Sequence, residues 1–204
     1  MNQFQQDNPL SRLRERVRER VLTDMNNTPG SSLSSGHFPA NGSGGRRIVI
    51  HIPSQTLTLF DDSGKLLQSY PVSTGANGVG EESGSFCTPR GRHVIRARIG
   101  AGQPPNTVFV RRRPTGEIYT PELGARHPGR DWILTRILWL SGREPGYNRG
   151  GNCDTMRRYI YIHGTPDETE LGRPGSRGCI RMRNRDLLEL FDRVAGGTEV
   201  EIIA

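Results

Sequence analysis

No stretch of this sequence is long and apolar enough to form a transmembrane helix. The first 25 residues, MNQFQQDNPLSRLRERVRERVLTDM, also lack the uninterrupted apolar core of a secretory signal. Together these absences read as a soluble chain and do not mark it for export. Lysine is nearly missing: of 28 basic residues only Lys65 is not an arginine, and the arginines are spread along the chain rather than gathered in one tract. Against 21 acidic residues they leave a formal net charge of +7. Such a surface attracts polyanions, whether nucleic acid, acidic wall polymer or lipid headgroup. The alternative is general arginine usage with no partner behind it. Aromatic residues make up 6% and hydrophobic residues 32%, whereas 26 glycines and 14 prolines call for many turns. That balance disfavours a helical bundle and favours an all-β or mixed architecture.

Cysteine is scarce as well. The three cysteines, Cys87, Cys153 and Cys179, include no C-x-x-C pair. This argues against a zinc site, leaving Cys153, Asp154, His163 and Cys179 as an irregular alternative. An odd count leaves one thiol unpaired in any oxidised form. In an exported and oxidised protein, a Cys87–Cys153 bridge with a free Cys179 is the arrangement that chemistry at Cys179 would require.

What is present divides the chain into three parts. Asn8-Pro9 is a cap and first helical position, and Leu10, Leu13, Val17 and Val21 follow at helical spacing among Arg and Glu, so residues 1–25 read as a charged amphipathic helix. Its thin apolar stripe suits packing on a domain better than binding an anionic membrane. Residues 26–45, rich in Gly, Ser, Asn and Pro, read as a flexible linker. A single folded domain is expected over 46–204, mainly β with few helices. Strands are expected at RRIVIHI, QTLTLF, KLLQSYPVS, GRHVIRARI, DWILTRILWL, RRYIYIH and TEVEII. One helix is expected after the cysteine loop, capped by Asn184, with Leu187, Leu188, Leu190, Phe191 and Val194 as its apolar face and Gly196-Gly197 as its stop. The long Pro/Gly-rich stretch 111–131 between strands reads as a substrate loop or lid, or as an ordinary surface excursion.

Cys179 ends the run HGTPDETELGRPGSRGC, where Ser176, Arg177 and Gly178 stand before it instead of apolar neighbours. A thiol becomes a nucleophile when its anion is favoured and a base stands within reach. Arg173, Arg177 and Arg181 favour the anion wherever they lie near it. His163, at the end of a strand, has the right titration range for the base. Gly175 and Gly178 allow the tight turn that points amides at a developing oxyanion. By spacing alone one Cys and one His remain compatible with a packing role.

The run from His163 to Arg181 resembles the signature of the L,D-transpeptidase catalytic domain (YkuD-like) family: His-Gly, about a dozen residues, then Ser/Thr-His-Gly-Cys, an apolar residue and Arg or Asn. Ser176, Gly178, Cys179, Ile180 and Arg181 fall on that pattern, and Arg177 stands where histidine is common. IVIHIPSQTLTLFDDSGKLLQSYPVSTG and CTPRGRHVI are similar to the family's opening hairpin and its TPxG segment, so the resemblance covers residues 46–204. It implies an L,D-transpeptidase-like β-sandwich or barrel. It also implies acyl transfer on peptidoglycan stem peptides, with Cys179 as nucleophile, His163 as general base and the Gly164 carbonyl orienting the imidazole. Amides of Gly178 and Cys179 would receive the oxyanion, and Arg181, with Arg177 and Ser176, would bind substrate. No metal or organic cofactor is called for. The acyl acceptor stays open between a stem amine, a lysine of an envelope protein and water. A substrate of this kind places the protein in the cell envelope or periplasm. The reading from another class is a non-catalytic wall- or polyanion-binding module on the same fold.

Overall fold

A computed structural model describes residues 45–204; the expected N-terminal helix, and the linker up to residue 44, lie outside the described residues. Ten strands carry the fold: β1 (Arg47–His51), β2 (Thr56–Phe60), β3 (Leu66–Pro71), β4 (Gly91–Ile99), β5 (Thr107–Val110), β6 (Arg113–Ile118), β7 (Leu134–Gly142), β8 (Tyr161–Thr165), β9 (Ile180–Arg183) and β10 (Glu199–Ile203). Among the described residues two α-helices join them, α1 (Pro121–Arg126) and α2 (Asn184–Arg193). The mainly β expectation holds.

The strands form one curled sheet in the order β3-β2-β1-β10-β4-β7-β5-β6, with β8 paired to β7 and β9 paired to β8. β10 inserts parallel to β1 and antiparallel to β4, so the end of the chain ties its opening hairpin to the centre of the sheet. Alternating Ile48, Ile50, Leu57, Leu59, Val200 and Ile202 face one core with Leu138, Leu140, Ile162 and Ile180. Helix α2 covers that core through Leu187, Leu190 and Phe191, all buried. Its last turn meets arginines: Arg98 donates to the Phe191 carbonyl at 2.5 Å, and Arg46 donates to the Arg193 carbonyl. Cations at a helix C-terminus are favourable, which gives two of the many arginines a structural task.

Several boundaries differ from expectation. Asn184 is the first residue of α2, whose N-cap is Arg183 with no side-chain capping bond. The Asn184 side chain is buried instead, where Oδ1 accepts from Thr135 Oγ1 at 2.6 Å and Nδ2 donates to the Asn106 side chain at 2.8 Å and the Thr165 carbonyl at 2.9 Å. A residue suited to capping is used to tie three segments together. RRYIYIH is a strand only from Tyr161, because the chain first makes a turn through Tyr159 at φ 58°. The stretch 111–131 is not an irregular loop: it contains β6 and α1. Val110 pairs with Arg113, so Arg111 and Arg112 form a two-residue hairpin turn, with φ 48° and 67°. Such turns favour Asn-Gly, and bulkier residues there cost about 1 kcal/mol or more each.

Candidate active site

The bed of the site is the segment after β3. Ser73 exchanges backbone hydrogen bonds with Arg181, at 3.0 and 2.9 Å; the Thr74 carbonyl accepts from Gly175 and Ser176 at 2.8 and 2.9 Å; and Ala76 donates to the Ser176 carbonyl at 2.8 Å. Thr88 holds the other side, accepting from the Gly75 amide at 2.8 Å and donating to the Gly178 carbonyl at 3.0 Å. Two separate stretches of sequence, PVSTG and CTP, thus clamp the cysteine loop from below. Inside the loop Ser176 Oγ accepts from the Gly178 amide at 3.1 Å and donates to the Cys179 carbonyl at 2.5 Å. Gly178 has φ 106°, and a Cβ there would stand 2.8 Å from the Cys87 carbonyl oxygen. Only glycine meets both conditions.

β8 and β9 run parallel, with His163 opposite Arg181, and Cys179 immediately precedes β9. His163 is buried, and its Nδ1 donates to the Gly164 carbonyl at 2.8 Å. That bond fixes the tautomer and leaves Nε2 with its lone pair. Gly164 is itself obligatory, since a Cβ would fall 2.2 Å from Asn184 Oδ1 and 2.7 Å from the Leu134 carbonyl oxygen. Across from it, β7 carries a bulge between Leu134 and Ile137, where the β-branched Thr135 adopts φ 70° and is held by Asn184 and the Asn106 amide. An unfavourable backbone beside the imidazole persists because these bonds over-determine it.

Cys179 is half-buried and packs against the cluster of Phe109, Ile137 and Tyr161, as Trp139 also does. Its thiol donates to the Tyr159 carbonyl at 3.5 Å. Burial pushes the thiol up to about 12, outweighing the Tyr161 amide that points at the sulfur and the positive charges of Arg181 and Arg158. Burial likewise lowers His163 to about 4, against the opposing effect of its bond to Gly164. The resting pair is therefore thiol and imidazole at neutral pH. Arg181 favours the anion as its place in the sequence implies, and desolvation exceeds that attraction. In the resting geometry the thiol bonds to Tyr159 rather than to His163, a looseness common before substrate binds.

The arginines are distributed differently from their order in sequence. Arg173 pairs with Glu170 at 2.6 Å on the surface. Arg177 is exposed and lines an open cavity of about 280 Å³ with Asp131, Trp132, Thr165, Thr169 and Arg181. Arg181 donates to Asp131 Oδ1 at 2.6 Å and to the Gly175 carbonyl at 2.9 Å, and this ion pair acts electrostatically on both Cys179 and His163. Asp131 and Arg158 are missed by sequence reasoning. Arg158 donates to the carbonyls of Gly80, Glu81 and Cys87 at 3.0, 2.8 and 2.6 Å, which places a fixed charge behind the cysteine loop. Its position beside the strand that bears His163 was the available signal.

The three thiols are free: Cys87 donates to the Asn77 carbonyl and Cys153 to that of Gly150, each at 3.3 Å. No Cys87–Cys153 bridge forms, although Ser83 and Asn152 bring the two loops together by a 2.7 Å backbone bond. Among the described residues no group of three His, Cys, Asp or Glu side chains is placed to hold a metal ion, so Cys153, Asp154, His163 and Cys179 do not converge into a metal site.

Comparison with known proteins agrees with this geometry. Residues 45–202 match the family described as the L,D-transpeptidase catalytic domain. A Bacillus licheniformis protein whose name marks it as a candidate L,D-transpeptidase, YkuD, is 30% identical over 156 residues, covering 76% of this chain and 64% of its own. A Salmonella typhimurium protein named as a candidate L,D-transpeptidase, ErfK/SrfK, is 50% identical over 123 residues, 56% of this chain and 39% of its own. The chain thus spans less than two thirds of the length of these curated relatives. A solved L,D-transpeptidase from Mycobacterium smegmatis aligns at 19% identity with a TM-score of 0.46, covering 79% of this chain and 60% of that one. The chain belongs to the L,D-transpeptidase catalytic domain family.

Proposed function

We propose that this member of the L,D-transpeptidase catalytic domain family is a cysteine acyltransferase acting on peptidoglycan stem peptides. The observation that supports this most is the histidine: Nδ1 is committed to the Gly164 carbonyl at 2.8 Å, so Nε2 is free to serve as base beside a cysteine that shares its Asp131–Arg181 surroundings. Substrate entry displaces the thiol from Tyr159. Cys179 Sγ passes its proton to His163 Nε2 and attacks the carbonyl between the third stem residue and the terminal D-alanine. The Gly178 amide already serves Ser176, which leaves the Cys179 amide to receive the oxyanion. On collapse, His163 returns the proton to the leaving amine, D-alanine departs, and a thioester remains on Cys179.

An acceptor then attacks the thioester, giving up a proton to His163 and restoring the thiol. A stem amine yields a cross-link, a protein lysine yields anchoring and water yields carboxypeptidase activity. Arg177 and Arg181, at the mouth of the cavity with Asp131, are placed to meet charged groups of the stem, and Ser176 holds the loop that presents the nucleophile. The substrate puts the site of action in the cell envelope. No helix among the described residues is long and apolar enough to cross a membrane.

The test is incubation with a carbapenem followed by intact mass and peptide mapping. One adduct on Cys179 is expected, absent in Cys179→Ala and retained in Cys87→Ser, and both Cys179→Ala and Cys179→Ser should fail to release D-alanine from tetrapeptide stems. A folded wild type that forms no adduct and releases no D-alanine would instead favour a wall-binding module.

A further inference from the structure

Several arginines around the site are held by carboxylates. Arg90 pairs with Glu81, Arg130 with Glu117 and Arg181 with Asp131, at 2.8, 2.7 and 2.6 Å. Arg112, at the tip of the β5–β6 hairpin, has no carboxylate partner among the described residues. Aromatic side chains hold it instead. Its guanidinium lies 4.5 Å from the centre of the Trp139 ring and 4.9 Å from that of Tyr159, and it donates to Tyr161 Oη at 3.1 Å. A guanidinium stacked on rings keeps its in-plane N–H donors available, and the stacking fixes their direction. Here Nε and Nη2 are left without a protein acceptor among the described residues.

The same aromatic residues surround the nucleophile. Cys179 and Trp139 both pack against the cluster that contains Tyr161, and the Cys179 thiol bonds to the Tyr159 carbonyl. Arg112 is therefore one side chain away from the sulfur. The backbone that delivers it is strained, since Arg111 and Arg112 occupy left-handed turn positions without being glycine or asparagine. Strain of this kind persists where the surroundings enforce it and clusters at working sites. Arg111 and Arg113 beside it carry the same charge on exposed side chains without an ion pair or ring contact among the described residues, so of the three only Arg112 is both fixed and directed towards the site.

Resting on the acyl-transfer reading, we infer that Arg112 is a carboxylate-binding, specificity-determining residue: its stacked guanidinium takes the carboxylate of a substrate beside Cys179. Arg181, whose guanidinium is engaged by Asp131 and Gly175, is less free for that task. The ligand class is a carboxylate on a short flexible arm, such as the free terminus of a stem peptide. Arg112 binds and orients, and carries no proton in the reaction.

A pair of small probes tests this without relying on peptidoglycan. Iodoacetate and iodoacetamide alkylate a thiol by the same displacement and differ in that one carries a carboxylate. Their rate ratio at Cys179, read by peptide mapping on the full chain, cancels changes in thiolate fraction. We expect Arg112→Ala to lower the iodoacetate-to-iodoacetamide ratio about tenfold, the size of one charge-assisted hydrogen bond. Arg112→Lys should recover part of it, and Arg111→Ala and Arg113→Ala should leave it near wild type. An unchanged ratio in Arg112→Ala, or an equal fall in Arg111→Ala, overturns the inference. With tetrapeptide stems, Arg112→Ala should raise KM for the free acid and not for the C-terminal amide. A wild type that ignores both stems refutes the proposed activity, while the alkylation ratio still decides the role of Arg112.

Discussion

Lowering the pH should unfold this protein through a histidine it cannot afford to charge. His163 is buried, its Nδ1 proton is given to Gly164, and burial lowers it from 6.5 to about 4. In the unfolded chain the same ring titrates near 6.5. Below that value the unfolded state binds the extra proton and the folded state does not, so stability falls as pH drops from about 6.5 towards 4 and levels off below. At about 1.4 kcal/mol per pH unit, the interval is worth about 3 kcal/mol from this one residue. His93, lowered to about 4 by the same cause, adds a second contribution of like sign. The two separate by difference: His163→Gln keeps His93 and removes only the first. Urea unfolding of wild type and His163→Gln, followed at half-unit steps from pH 7.5 to 4, should give curves that converge by about 3 kcal/mol as pH falls. Parallel curves would mean that His163 is protonated in the folded state with a partner, and the neutral-pair description of the site would be wrong.

Further expectations follow from single contacts. Gly164→Ala drives a methyl group into Asn184 Oδ1 and the Leu134 carbonyl, and should cost about 3 kcal/mol in urea unfolding, because the second neighbour is backbone that cannot swing aside. Thr88→Val keeps the shape but strands the Gly75 amide and the Gly178 carbonyl; a loss of about 3 kcal/mol and slower carbapenem acylation are expected, and full activity would show that the clamp is dispensable. Arg158→Met should move the thiol's apparent pKa further up in an iodoacetamide pH profile. Arg177→Met should leave that profile in place, since Arg158 and Arg181, rather than Arg177, are the positive charges that act on the sulfur.

Much of the fold is legible where a strand announces itself locally, whereas the short β5, β6 and β9 and the helix α1 are not expected from the sequence. Alternation in TLTLF and in EVEII, β-branched content in RIVIH and the apolar stripe of α2 require no knowledge of the partner strand. Motif and spacing brought His163 and Cys179 together, and β8–β9 pairing sets the two elements side by side. The signals that failed are those set by distant residues. Asn184 looks like a cap from its neighbours, yet Thr135, 49 positions away, claims its oxygen. Arg112 and Arg158 are ordinary in a chain with so many arginines, and only pairing geometry separates them from the rest. The thiol's pKa is not legible in the sequence for the same reason: neighbouring charges can be counted there, whereas burial belongs to the fold.

That burial shapes the chemistry. A thiol pushed up to about 12 and an imidazole lowered to about 4 favour the neutral pair, so in the proposed mechanism the proton moves when Cys179 attacks and not in advance. The groups at hand act on both partners of such a transfer. Arg158, Arg181 and the Tyr161 amide favour the anionic sulfur, which Asp131 opposes, and Asp131 favours the imidazolium, which Arg181 opposes. Each of these groups is held by other bonds, Arg158 by three carbonyls and Arg181 by Asp131 and Gly175, so they need not reorganise as charge develops. Preorganised charge in a poorly hydrated site acts most strongly where charge appears, which is the transition state. A neutral resting thiol is also a weak nucleophile towards passing oxidants, because the anion is the reactive form. Under the proposed function, the same desolvation that holds Cys179 neutral at rest makes its activation depend on a substrate that displaces the Tyr159 contact.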